Sequence, residues 1–216
     1  MKRRSLGVAA LLAAFVPAVV QENLLDEGSF EAATNDSDIS NSNWSMVANA
    51  PGGGPSARFS TSVWAASDGE TGVWFRSFQG SSAEPANATL SQSVIAPRGG
   101  SYTLLFDSAR ETHVTGDSWL ASLTASSGPS DSFELLTATY NDDGNMNSDP
   151  TRFSLTVNGV NAGDTLTVSV DMVNGVDAGS NPQSLMVDHF RLIPEPVSVA
   201  LVGVGLAGLL GVRRRR

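Results

Sequence analysis

Short runs in which apolar and polar residues alternate recur along residues 23–193, separated by Gly, Asn, Asp and Pro. In one run, Tyr102, Leu104 and Phe106 alternate with Thr103 and Leu105. The same alternation occurs in two later runs. It puts on one face of its strand the set Phe153, Leu155 and Val157, and on one face of the next strand the set Leu166, Val168, Val170 and Met172. Because the side chains of a strand point alternately to its two faces, these runs predict strands that each bury one face.

Similar but shorter patterns predict further strands near 44–49, 57–65, 72–78, 89–96, 118–126, 132–140 and 184–192. Residues 51–56 and 141–150 are rich in turn-forming residues and predict loops. Ten or eleven short strands without a convincing helical pattern predict an all-β domain, a two-sheet jelly-roll-like β-sandwich over residues 19–193. The chain has no cysteine, which excludes disulfides, thiolate metal sites and cysteine nucleophiles.

The first 18 residues have the pattern of a secretory signal peptide. Three basic residues, Lys2 to Arg4, precede an uncharged apolar run from Leu6 to Val16. Small residues before and at Ala18 predict cleavage after that position. The alternative for this segment is an uncleaved membrane anchor.

The other end of the chain has a second apolar segment. Pro194-Glu195-Pro196 is followed by sixteen residues, Val197 to Val212, of which only Ser198 is polar, and then by Arg213 to Arg216. A helix of that length spans about 24 Å, close to the thickness of about 30 Å of a bilayer core. The terminal arginines favour the cytoplasmic side, so we expect a transmembrane helix with the body on the far side of the membrane.

In this order, the three parts of residues 194–216 resemble the PEP-CTERM sorting signal of Gram-negative bacteria. The sorting motif consists of Pro194, Glu195, Pro196, Arg213, Arg214, Arg215 and Arg216. The resemblance implies processing by an exosortase, a membrane-embedded enzyme. It also implies a transient anchor in the inner membrane, removal of the tail, and export to the cell surface or the extracellular matrix.

The charge of the body restricts its partners. Residues 19–193 contain six arginines, no lysine and 21 acidic residues, a balance of −15. A body with that charge repels phosphate backbones, so the composition argues against nucleic-acid binding.

The opening and closing segments of the body, Asn23 to Glu31 and Leu185 to Leu192, resemble those of jelly-roll domains in the galactose-binding-like and carbohydrate-binding-module superfamily. The resemblance implies a structural calcium ion held by Glu31 and Asp188, with Glu70 as a possible third ligand. In the closing strand, alternation predicts that Met186, Asp188, Phe190 and Leu192 share a face, where a carboxylate is costly unless it is paired or binds a cation. The alternative is that Asp188 only accepts backbone hydrogen bonds.

Sugars stack on flat aromatic rings, and polar groups fix their hydroxyls. Trp74 and Phe75 are neighbours in one predicted strand, so one of them points outward. If Trp74 is the outward residue, Arg76 lies beside it and can hydrogen-bond a glycan. Trp74 and Arg76 are therefore the candidate ligand-binding residues.

Catalysis has little support in the sequence, because the chain has only two histidines and no Gly-x-Ser-x-Gly nucleophile elbow. We expect a non-enzymatic exported protein of the cell surface or matrix, associated with exopolysaccharide. The alternatives are a carbohydrate-binding module with a defined sugar site and a secreted hydrolase with an acid pair.

Overall fold

The computed structural model describes residues 22–33, 43–141 and 145–196. The predicted signal peptide and the apolar tail after Pro196 lie outside the described residues. The described part contains ten strands: β1 (Ser45–Ala48), β2 (Ala57–Ser60), β3 (Gly72–Arg76), β4 (Ala86–Ile95), β5 (Gly100–Arg110), β6 (Ser118–Ala125), β7 (Ser130–Glu134), β8 (Thr151–Val160), β9 (Thr165–Gly175) and β10 (Ser184–Pro194). Two short 3-10 helices cover Val63–Ala65 and Ser77–Gln79.

The strands form two antiparallel five-stranded sheets, which confirms the predicted all-β sandwich. The first sheet has the order β1-β4-β9-β6-β7, and the second has the order β2-β3-β10-β5-β8. None of the helical segments within the described ranges has the length and apolar composition of a membrane span.

Two predicted strands are shorter than expected. The run over 57–65 leaves the sheet after Ser60 and crosses the outer face of the second sheet, where the Ala65 carbonyl oxygen lies only 1.9 Å from the position of a Cβ on Gly72. The run over 132–140 ends at Glu134, whose carboxylate accepts a hydrogen bond from the Leu136 N–H at 3.0 Å and so turns the chain.

The inward faces of the two sheets form one apolar core. Phe190 is central to it: its ring stacks on that of Phe106 with centroids 5.2 Å apart and meets that of Phe30 edge-on at 5.8 Å. Burial of a large apolar side chain stabilises the fold by roughly 1.5–3 kcal/mol. The periodic apolar positions of the sequence are therefore the main source of stability.

A β-bulge divides strand β10. The register against β5 shifts between Asp188 and Arg191, and His189 has a φ of 55°. Phe190 consequently points into the core, whereas Met186 lies outside it in a second cluster. The expectation that Met186, Asp188, Phe190 and Leu192 share one face is wrong, because the inserted residue reverses the alternation at this point.

The opening segment runs beside β10, so the two ends of the body are neighbours. The Leu24 N–H donates to the Leu192 carbonyl at 3.0 Å, and the Phe190 N–H donates to the Gly28 carbonyl at 2.8 Å. A Cβ on Gly28 would lie 2.1 Å from the Phe190 carbonyl oxygen, so this close approach requires glycine.

Candidate functional site

Trp74 lies on the outer face of the second sheet, in the middle of β3. Its cross-strand neighbours are Arg58 on β2 and Met186 on β10. Phe75 is fully buried in the core, whereas Trp74 is partly exposed. Trp74 and Phe75 therefore point to opposite faces of the sheet. Trp74 points outward, and Arg76, two residues later on β3, lies on the same outer face.

Four side chains surround the Trp74 ring, and we call the five residues the Trp74 patch: Arg58, Trp64, Trp74, Arg76 and Phe78. The guanidinium carbons of Arg58 and Arg76 lie 4.7 and 5.1 Å from the centroid of the Trp74 ring, within cation–π distance. Trp64 meets Trp74 edge-on at 5.2 Å, and Phe78 is 5.8 Å away. The patch thus combines partly exposed aromatic rings with charged hydrogen-bond donors.

The two arginines of the patch differ in position. Arg76 is only 6% exposed and donates a hydrogen bond to the Pro55 carbonyl of the glycine-rich 51–56 loop. Arg58 is more exposed than Arg76. Arg76 therefore holds the loop and the ring in place, and Arg58 is the better placed to meet a ligand.

Sequence reasoning missed Arg58, Trp64 and Phe78. Arg58 follows from the pairing of β2 with β3, which the alternation alone did not specify. Trp64 reaches the patch from a 3-10 turn between the strands, and no periodic pattern marks it.

Asp188 also lies on this sheet and is completely buried. Its Oδ2 accepts hydrogen bonds from the backbone N–H groups of Ser67 at 2.8 Å and Asp68 at 2.9 Å. Its Oδ1 is buried and has no hydrogen-bond partner among the described residues. Burial raises the pKa of Asp188 to about 7, although the N–H donors favour the charged form.

Glu31 binds the same short segment from its other end. Its Oε1 accepts hydrogen bonds from the N–H groups of Glu70 at 3.0 Å and Thr71 at 2.8 Å. Glu31 and Asp188 therefore hold residues 67–71 between them. Glu70, the predicted third ligand, contributes only its backbone N–H to this contact with Glu31, and the residue is exposed. In the described ranges, no group of three acidic, His or Cys side chains is arranged to hold a metal.

Asp107, which sequence reasoning missed, pairs with Asp188 across β5 and β10. The Ser67 hydroxyl donates to Asp107 Oδ2 at 3.0 Å and lies 3.3 Å from Asp188 Oδ2. Arg152 binds Asp107 through two nitrogens at 2.7 and 2.9 Å. The sequence signal that could have identified Asp107 is its charge, because it lies within a strand whose preceding residues are all uncharged.

The Pro194-Glu195-Pro196 segment, where the predicted sorting signal starts, continues directly from β10, because the strand ends at Pro194. The Glu195 N–H donates to the Ser101 carbonyl at 2.9 Å, and Glu195 Oε1 accepts a hydrogen bond from the Thr103 hydroxyl at 2.7 Å. Arg98 donates to the Glu195 carbonyl at 2.9 Å. Glu195 and Pro196 are exposed, and the four terminal arginines lie outside the described residues.

No protein-family model matches the chain, and no curated protein matches it. Among solved structures, it is similar to the carbohydrate-binding module TmCBM61 in complex with β-1,4-galactotriose, with 20% identity and a TM-score of 0.51. That match covers 81% of this chain and 99% of the module.

Two further solved structures have the same fold. A cyclase from Fischerella sp. TAU is 14% identical with a TM-score of 0.55, and the match covers 82% of this chain and 98% of the cyclase. The enzymatically active domain of bacteriophage CBA120 tailspike protein 4 is 15% identical with a TM-score of 0.52, and the match covers 80% of this chain and 21% of the tailspike chain. At these identities the likeness is one of fold alone, a two-sheet β-sandwich that a binding module, a cyclase and part of a tailspike protein share.

Proposed function

We propose that this chain is an exported, non-enzymatic protein of the cell surface or extracellular matrix whose sandwich binds polysaccharide at the Trp74 patch. The observation that carries the proposal is the patch itself. Three aromatic residues of the patch are partly exposed and supply apolar surface for a sugar ring. The Arg58 guanidinium, which lies over the Trp74 ring, carries hydrogen-bond donors at the same place. The likeness to a carbohydrate-binding module agrees with a defined sugar site.

The buried acid pair on the same sheet is not arranged for glycoside hydrolysis. Asp107 and Asp188 are cross-strand neighbours, but they are only 3% and 0% exposed. Arg152 occupies both oxygens of Asp107. A glycosidase needs two carboxyl groups that reach opposite sides of a bound glycosidic bond, and this pair is closed to a substrate.

The proposed route to the surface uses the two ends of the chain. The signal peptide over 1–18 directs export, and the PEP-CTERM signal over 194–216 provides a transient anchor in the inner membrane. An exosortase then recognises the motif that begins with Pro194, Glu195 and Pro196 and removes the tail. The exposure of Glu195 and Pro196 is compatible with recognition, although Glu195 must leave Thr103 to become fully available.

A structural calcium ion is part of the same proposal. The observation that fits a cation is the buried Oδ1 of Asp188, which has no hydrogen-bond partner of normal geometry, although the His189 N–H acts on the same carboxyl group. Asp188 and Glu31 would hold the ion, and backbone carbonyls would complete the six to eight oxygens that calcium takes. Bound calcium would supply charge neutralisation and would fix the 67–71 segment.

The experiment is a glycan array probed with the full-length chain, followed by titration of each glycan that binds. We expect Trp74→Ala to weaken binding by about tenfold or more, because loss of an aromatic platform removes its contacts. Phe133→Ala is the matched control, since Phe133 is an exposed aromatic residue on β7 outside the patch. Equal affinity of Trp74→Ala and the unchanged protein would overturn the proposed site.

A further inference from the structure

The outer face of the first sheet has a groove of about 260 Å³ at its β1 end. Val47 on β1, Thr89 on β4 and Asp171 on β9 are cross-strand neighbours in one row of the sheet. Val173 also lines the groove, two residues after Asp171 on β9. Val47 is 68% exposed and Val173 is 39% exposed. We call this site the Asp171 groove.

The Asp171 carboxylate has a fixed orientation. Thr89 donates its hydroxyl to Oδ1 at 2.6 Å, and Ser169 donates its hydroxyl to Oδ2 at 2.8 Å. Each carboxylate oxygen can accept more than one hydrogen bond, so both retain the capacity to accept another donor. Two adjacent hydroxyls of a sugar ring are donors of suitable geometry for such a carboxylate.

Next to the groove, the sheet face consists of hydroxyl groups. One row crosses all five strands and contains only serines: Ser45, Ser91, Ser169, Ser122 and Ser132. The next row contains only serines and threonines: Ser93, Thr167, Thr124 and Ser130. These rows carry no charge, and their hydroxyls lie about 4.8 Å apart from strand to strand. Because Ser169 donates to Asp171 and accepts from Ser122 at 2.9 Å, these two hydroxyls offer acceptors rather than donors to a ligand.

We propose that the Asp171 groove is a second saccharide site, which takes one unit of a neutral sugar chain that continues over the hydroxyl rows. The valine side chains would contact the C–H groups of the ring, and Asp171 would accept hydrogen bonds from two ring hydroxyls. An acidic sugar is disfavoured, because the charged groups along the row of Asp171 are Asp171 and Glu134, both acidic. The inference rests on the proposed polysaccharide binding but uses the opposite sheet from the Trp74 patch.

Two saccharide sites on opposite sheets would give one chain two points of attachment. A single molecule could then bridge two polysaccharide strands, and binding to a polymer would exceed the affinity of either site alone.

The test is calorimetric titration of the full-length chain, in a detergent without a sugar headgroup, with β-1,4-galactotriose, cellotriose and maltotriose. The groove is isolated by use of the Trp74→Ala variant. In that background we expect residual binding of a neutral trisaccharide, weakened about tenfold by Asp171→Asn, because hydrogen bonds to a charged acceptor are lost. Val47→Ala, which changes an exposed side chain and is not expected to disturb folding, should weaken it severalfold.

Ile95→Ala is the matched control, since Ile95 is 62% exposed on β4 and does not line the groove. If Asp171→Asn and Val47→Ala both leave the affinity unchanged, the groove is not a saccharide site. The same conclusion follows if the single substitution Trp74→Ala abolishes all binding, and in both cases the Trp74 patch stands. Loss of binding in the groove variants with no effect of Trp74→Ala would uphold the groove and refute the patch. Absence of saturable binding by all three trisaccharides at millimolar concentration would overturn the groove as a site for neutral sugars.

Discussion

Arg152 binds Asp107 through two parallel hydrogen bonds of 2.7 and 2.9 Å, across the pairing of β8 with β5. The Asp107 side chain is 4% exposed, whereas that of Arg152 is 55% exposed, so the arginine brings its charge from solvent to a buried acid. The hydrogen bonds to Asp107 raise the pKa of Arg152 above its ordinary value. Arg152 therefore neutralises Asp107, which is one of the two buried acids on this sheet.

Replacement of Arg152 by alanine is expected to lower the free energy of unfolding by about 1–3 kcal/mol, because a buried carboxylate loses its charged partner. Urea unfolding of the full-length chain measures this loss. Arg191→Ala on β10 is the matched control and should change stability by no more than about 0.5 kcal/mol. Equal stability losses in the two variants would show that the Asp107 pair has no special role.

Calcium is expected to raise the melting temperature of the protein, and a chelator is expected to lower it. An ion that binds only the folded state stabilises it by about 2.7 kcal/mol at a hundredfold excess over its Kd. Asp188→Asn should abolish the calcium-dependent part of the shift, and Asp149→Asn, in the 145–150 loop, should leave it unchanged. The same melting temperature in chelator and in millimolar calcium would contradict the calcium proposal.

Glu134 is expected to make the protein less stable in acid. Burial opposes its ionisation, but hydrogen bonds from the Ser118 hydroxyl and from the N–H groups of Leu136 and Trp119 together lower the pKa of Glu134 below its ordinary value. A carboxyl group with a lower pKa when folded contributes stability above its unfolded pKa and loses it as the pH falls through the folded pKa.

Stability measured from pH 7 down to pH 3 should therefore decline less steeply in Glu134→Gln than in the unchanged protein. Glu84→Gln, at an exposed acid before β4, serves as the control. Parallel pH profiles for the unchanged protein and Glu134→Gln would remove this role of Glu134.

Exported protein is expected to lack the C-terminal segment. The apolar run bounded by Pro196 and Arg213 has the composition of a membrane anchor, and the proposed exosortase processing would remove it. Intact-mass measurement of surface material should show this loss, and Glu195→Ala should leave more of the protein unprocessed. Mature surface protein that retains Arg213 to Arg216 would refute the prediction.

The alternation of apolar residues was sufficient to predict the class of fold and the position of most strands. It also predicted that Trp74 and Phe75 point to opposite faces. It failed at the bulge after Asp188, because one inserted residue reverses the faces without changing the composition of the strand. A pattern of period two cannot reveal such an insertion in advance.

The sites were less predictable than the strands because they depend on pairing between distant segments. Glu31 and Asp188 could be selected by resemblance, but their common contact, the 67–71 segment, lies in a loop without periodicity. Asp107 and Arg152 come together only through the register of β5 with β8. The Asp171 groove similarly depends on which strands are neighbours in the first sheet.

Strand β10 ends at Pro194, and its residue Met186 pairs with Trp74. A strand rises about 3.3 Å per residue, so the Trp74 patch is up to about 25 Å along the strand from the point where a membrane tail would begin. That separation is several times the Debye length of about 8 Å at physiological salt. If β10 stands away from the bilayer in the proposed anchored form, lipid headgroup charges would have little influence on what Arg58 binds, and the patch could engage a polysaccharide before the proposed release of the tail.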